Sequence, residues 1–192
     1  ITCQCNTMVS ILHKAWAGLT HVSNHYCVND EEIATSLSQL LYNSISLCRS
    51  EDDLPLLLEI TGLIKSTLGV VVKTVNPQAL IPVLTVVQRF IELHGSKIES
   101  NQNSTASNGP IQAMAKDLML MSYEGVRDAA SQDLVAPMFE LLSACAQKAL
   151  LFLLILSRNS QQAGEVVCAS IETALAALTS NETDVALSSI LF

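Results

Sequence analysis

The sequence predicts an all-α fold in which helical hairpins follow one another in a row, and three observations carry that expectation. Of the 192 residues 49% are apolar, with 29 leucines against 4% aromatics. A core of Leu, Val, Ile and Ala suits helix packing better than a sandwich of aromatic and β-branched strands. Glycine and proline are scarce, at 7 and 5 residues, so the chain is neither disordered nor low in complexity, and its length suits one domain or a piece of a larger one. Finally, apolar residues recur at steps of three and four through one long segment after another, the spacing that places them on one face of a helix.

Taken in order, residues 11–19 read as a first helix, with Trp16, the only tryptophan, on its apolar side. Asn29 is the expected cap of a second, with Glu32 three positions on and the stripe Ile33, Leu37, Leu41, Ile45 and Cys48. Asp53 is the expected cap of a third, with Pro55 in the first turn, where its missing N–H costs nothing. The stripe there is Leu57, Ile60, Ile64, Leu68, Val71 and Val75, and Glu59, Gly62, Ser66, Gly69 and Lys73 form the opposite side.

Asn76-Pro77 repeats the start signal for Leu80, Leu84, Val87 and Ile91, with Thr85, Gln88 and Glu92 facing elsewhere, and His94-Gly95 is expected to end that helix. The polar, turn-rich stretch 96–109 reads as an exposed, mobile loop. Pro110 opens the next helix through Ala113, Leu118 and Met121, and Asp133 is a possible cap for Leu134, Met138, Leu141 and Cys145. A last segment carries Ala163, Val167, Ile171, Ala174 and Leu178, with Glu165, Glu172 and Thr179 elsewhere.

Helix starts near residues 30, 53 and 77 make two helices occupy roughly 47 residues, the upper edge of HEAT and armadillo periods. The expected fold is therefore a HEAT/armadillo-like α-α superhelix: helical hairpin repeats over 1–95, the polar inter-helix loop 96–109, and further hairpins of the same solenoid over 110–192. The chain starts without a cap and stops at 188–192 inside an apolar pattern. Solenoids hide their end faces under polar capping repeats, so the expectation is a fragment of a longer array.

Ten Lys+Arg against 18 Asp+Glu leave a formal charge of −8, which disfavours broad contact with phosphate backbones and favours a basic partner. The same surplus also keeps an apolar chain soluble. Six cysteines are scattered through apolar segments, as free thiols in a reducing compartment are, and residues 1–10 carry no secretory signal pattern. The sequons at Asn103 and Asn181 are accordingly read as accidental. The apolar run 149–156 is short against the ~20 residues of a bilayer span, and 54–75 carries Glu59, Lys65 and Lys73, so both read as buried helices with no membrane partner.

Chemistry is sparse. Cys3 and Cys5 with His21 and His25 are the nearest thing to a zinc shell, but a single residue between the thiols strains chelation, so no metal and no cofactor are expected. No phosphate-cradling glycine loop, zinc-protease motif or nucleophile-base signature occurs, and an enzyme is not expected. The acidic clusters Asp30, Glu31, Glu32 and Glu51, Asp52, Asp53 precede helix starts. Carboxylates there offset the helix dipole and cap free N–H groups; repeated along a curved array, they would also form a distributed acidic surface for a partner, and they are the candidate binding residues.

Residues 139–148, 149–158, 164–179 and 181–192 resemble C-terminal HEAT repeats of the importin-β superfamily of nuclear transport receptors, nearest the branch of importin-13 and transportin-3. The resemblance covers 139–192, and the upstream hairpins agree in style. It implies carriage of protein cargo between cytoplasm and nucleus, controlled by the small GTPase Ran and by contacts with nucleoporin Phe-Gly repeats, without direct nucleic-acid binding. The alternative is a general HEAT-repeat scaffold organising a signalling or trafficking complex.

Overall fold

The computed structural model describes residues 2–25, 30–48, 53–74, 76–99, 109–152, 154, 164, 165, 168 and 172. The chain is all-α: α1 (Thr2–His25), α2 (Glu31–Leu47), α3 (Leu54–Thr74), α4 (Pro77–Glu99), α5 (Gly109–Ala129) and α6 (Val135–Lys148), with one 3₁₀ turn (Gln132–Leu134) before α6 and no strand among the described residues.

Local chemistry sets most of the starts. Asp30 is the N-cap of α2, its Oδ1 accepting from the N–H groups of Glu32 (3.0 Å) and Ile33 (3.1 Å); Asn29, the expected cap, lies outside the described residues. The carbonyl of Asp53 accepts from Leu57 N–H at 2.9 Å, which opens α3 where expected. Asn76 Oδ1 accepts from Gln78 and Ala79 N–H at 3.1 and 3.4 Å, and Pro77 fills the first position of α4, where a missing donor is harmless.

Helices α1, α3 and α5 pack side by side in one row, and α2, α4 and α6 in another. Each odd helix also touches the even helix that follows it, and α4 contacts α2, α3, α5 and α6. The core lies between the rows. Leu41 and Ile45 enter it from α2, Ile60, Ile64 and Leu68 from α3, Leu84, Phe90 and Ile91 from α4, Leu118 from α5, Leu134 from the 3₁₀ turn and Leu141 from α6, all essentially without solvent contact. Each such side chain contributes ~1.5–3 kcal/mol when fully buried.

Helix α3 is long and apolar enough to cross a membrane by length and composition. Here it lies between α1 and α5 with α4 across it. Thr67 on α3 is buried against Ser23 of α1 at 2.7 Å, and exposed Lys65 pairs with Asp117 of α5.

Three local expectations are corrected. His94-Gly95 does not end α4, which continues to Glu99 and so takes residues 96–99 out of the expected loop; residues 100–108 lie outside the described part. Gly95 is buried inside the helix with no left-handed φ. A Cβ there would stand 2.5 Å from Lys148 Cβ, so the glycine serves a close approach of α4 to α6 and not a stop. Asp133 does not cap α6 with its side chain. Ser131 caps the 3₁₀ turn instead, its Oγ accepting from Asp133 N–H at 3.4 Å, and the Asp133 carboxylate accepts from Gln78 of α4. Ala113 is exposed, and α5 buries Ile111, Ala115, Leu118, Met119, Ser122 and Gly125.

Candidate functional site

Because Ala34, Leu37, Leu41 and Ile45 of α2 are buried, the helix leaves Thr35, Gln39, Tyr42 and Asn43 on its other side, exposed or half-buried. On α4 the matching positions are Gln78, Ile81, Pro82, Thr85, Gln88, Arg89 and Glu92, and on α6 Glu140, Ser143 and Gln147. This polar side of the even-numbered row holds two grooves. The first, about 580 Å³, runs between α2 and α4 along Glu31, Thr35, Gln39 and Tyr42 on one wall and Gln78, Ile81, Pro82 and Thr85 on the other. The second, about 410 Å³, lies between α4 and α6 and is lined by Arg89, Glu92, Glu140, Ser143, Gln147 and Lys148 among others.

Arg89 links α2 to α4. Its Nε donates to Ser46 Oγ at 3.2 Å, its Nη1 to Glu92 Oε2 at 3.1 Å, and its guanidinium carbon lies 5.2 Å from the centre of the Tyr42 ring, within cation–π range. Side-chain amides continue the pattern. Gln39 donates to Asn43 (3.3 Å), Gln78 to Asp133 (3.1 Å), Gln88 to Glu92 (3.0 Å) and Gln147 to Ser143 (3.1 Å). Beneath the first groove the Ser38 hydroxyl is buried with no hydrogen-bond partner, an exception that calls for an explanation because buried polar atoms are nearly always paired.

Four of the acidic candidates, Asp30, Glu31, Glu32 and Asp53, are among the described residues. Asp30, Glu31 and Glu32 flank the start of α2, but Glu31 faces the α2–α4 groove while Asp30 and Glu32 border a different, apolar hollow formed by Leu19, Val22, Ile33 and Leu37 between α1 and α2. Asp53 is half-buried at the start of α3, beyond the other end of α2, and Glu51 and Asp52 lie outside the described residues. A helix of this length separates its ends by ~25 Å. Among the described residues, the grooves lined by Glu31 and by Asp30 and Glu32 do not include Asp53.

His21 and His25 stand one turn apart on the exposed side of α1, rings stacked at 4.3 Å, with His25 Nδ1 3.0 Å from the His21 carbonyl; the side chains of Cys3 and Cys5 are outside the described part. Among the described residues no group of three or more His, Cys, Asp or Glu is placed to hold a metal ion. Cys145 is buried with Sγ 3.5 Å from Met119 Sδ, and burial pushes its thiol up to about 12, so it remains a protonated thiol at neutral pH. His94 is likewise buried, its ring 5.4 Å from Phe90 and neither nitrogen hydrogen-bonded. Burial, with a smaller contribution from Lys97, lowers its pKa to about 4.

No family model, curated protein or solved structure matches this chain.

Charge patterning drew attention to carboxylates at helix starts, and the groove residues Ser38, Tyr42, Pro82 and Arg89 were missed. One signal for them exists in the sequence. A proline inside an otherwise unbroken helical period, at Pro82, deletes a backbone donor and marks a helix face as special.

Proposed function

We propose that this chain is a protein-binding segment of a HEAT/armadillo-like α-α superhelix, working through a contact face and not through a reaction centre. The observation that carries the reading is the polar side of α2, α4 and α6, where two neighbouring grooves share α4 as a common wall. Two rows of helices in which every helix packs beside the one two places on support the superhelical part, because that arrangement extends by adding hairpins. In its narrower form the segment belongs to a nuclear transport receptor that carries protein cargo between cytoplasm and nucleus under Ran control. That form rests on the resemblance over 139–192, of which residues beyond 154 are almost entirely outside the described part.

A second reading, a general HEAT-repeat scaffold, is favoured by the charge of the second groove. Arg89 and Lys148 there offset Glu92 and Glu140, so that groove offers a basic cargo no net attraction.

Two measurements test these readings. The protein, titrated with a folded lysine-rich domain at rising ionic strength, should bind it progressively more weakly, since exposed charges are screened beyond ~8 Å at physiological salt; no binding at any salt overturns the protein-binding reading for a basic partner. The full-length protein should bind Ran-GTP and release the domain on doing so. Failure of that step alone removes the transport form and leaves the scaffold.

A further inference from the structure

Two histidines occupy the last turns of α1. His21 and His25 are both exposed and stand one helical turn apart on the same face, with ring centres 4.3 Å apart and ring planes 29° from parallel. This is the helical spacing at which two imidazoles reach one metal ion. Two nitrogens held at ~2.0–2.1 Å from such an ion stand roughly 3 Å from each other, a separation that rings so placed permit. His25 is already oriented for it. Its Nδ1 lies 3.0 Å from the His21 carbonyl oxygen; a carbonyl only accepts, so Nδ1 carries the proton and the neutral ring keeps its lone pair on Nε2. Metal-binding histidines are commonly fixed in this way, by donating the other ring N–H to a carbonyl.

The turn that carries the pair is anchored on α3. Ser23 Oγ meets Thr67 Oγ1 at 2.7 Å, and Asn24 Oδ1 accepts from the Ser66 hydroxyl at 3.1 Å. The backbone between the two histidines is thereby held before an ion arrives, which lowers the ordering cost of binding. His25 is also the last residue of α1, where the unpaired carbonyls of a helix end favour a cation. We propose that His21 and His25 chelate one divalent transition-metal ion of the kind that favours imidazole, such as Zn²⁺, Ni²⁺ or Cu²⁺. Among the described residues no third His, Cys, Asp or Glu joins them, so water fills the remaining positions. Cys3 and Cys5 stand toward the opposite end of α1, ~24 Å away along its axis, and the site is a clamp of two histidines instead of the mixed shell considered from spacing. Val22, Ser23 and Asn24 lie between the histidines, without the glutamate base of the zinc-protease motif, so the site holds an ion and implies no hydrolysis.

The test uses the whole chain without an affinity tag and Ni²⁺ as the probe, at about pH 7.5 because imidazole binds metals as the neutral base. Calorimetry should show one tightly bound ion. His21→Asn and His25→Asn should each weaken it about tenfold or more, since each removes one arm of the chelate. The double variant should lose little beyond either single one, the non-additivity of two ligands that share an ion. Both side chains are exposed, so all three variants should keep the wild-type melting temperature in EDTA. A second measurement needs no variant: in the amide NMR spectrum of the wild type, substoichiometric Ni²⁺ should broaden the end of α1 first and leave α5 and α6 sharp. Mg²⁺, which takes oxygen ligands, should not displace the ion at equal concentration. Undiminished affinity in both single variants overturns the inference, as does the absence of binding by the wild type or broadening centred away from the end of α1. So does loss of the ion on replacing Cys3 and Cys5 by serine with both histidines in place, or its displacement by Mg²⁺.

Discussion

Gly95 of α4 and Lys148 at the end of α6 meet so closely that a Cβ on the glycine would fall 2.5 Å from Lys148 Cβ and 2.7 Å from its carbonyl oxygen. Both obstacles belong to the rigid part of the chain, so the contact cannot relax by turning a side-chain tip. Helix α6 is thereby held against α4 at the point where the second groove closes on Lys148.

Gly95→Ala is expected to destabilise the fold by about 1–3 kcal/mol, the usual cost of overpacking, read as a lower urea midpoint at unchanged slope. Gly62→Ala is the control. Gly62 is exposed in α3 with nothing within 4 Å of a new Cβ, and alanine there should stabilise by about 0.5–1 kcal/mol through helix propensity.

His94 makes stability fall in mild acid. Its pKa drops from 6.5 to about 4 on folding, so the unfolded chain binds the proton more readily between those values. The native state's advantage is complete above pH 6.5 and is lost as pH falls toward 4. Between pH 7.5 and pH 4.5 this group should remove about 2–3 kcal/mol. His94→Phe should flatten that part of the profile in denaturant titrations, and an unaltered slope would refute the assignment.

Ser23 and Thr67 tie α1 to α3. Thr67 Oγ1 donates its one proton to the Leu63 carbonyl at 2.9 Å, which leaves Ser23 as the donor in the 2.7 Å contact. Ser23→Ala should cost about 1 kcal/mol. Thr67→Val, which strands a buried Ser23 hydroxyl, should cost about 1–3 kcal/mol, and a double-mutant cycle should show the two coupled.

Ala130, after the end of α5, has a left-handed φ of 46°. A Cβ is disfavoured in that conformation by about 1–2 kcal/mol, and Ala130 is exposed, so Ala130→Gly should raise thermal stability. Ala113→Gly, exposed within α5, should lower it by about 1 kcal/mol.

Much of the fold was legible where the signal is local. The caps at Asp53 and Asn76, the prolines at 77 and 110 and the buried stripes of α2, α3 and α4 depend on residues within one or two turns of each other, and these elements lie where spacing places them. The candidate site was less legible. A cluster such as Asp30, Glu31 and Glu32 is contiguous in sequence, yet adjacent helix positions point about 100° apart, so one residue enters the α2–α4 groove and two leave it.

By itself the sequence determined that this chain is helical, which face of most helices is buried and where most of them begin, because short-range capping and periodicity decide those matters. Tertiary structure alone decided that α4 runs through Gly95, that Asp133 accepts from Gln78 across 55 residues, and that Ser38 lies unpaired beneath a groove. Each of these depends on which helices become neighbours, and that choice is made by the complementary packing of buried faces far apart in the chain.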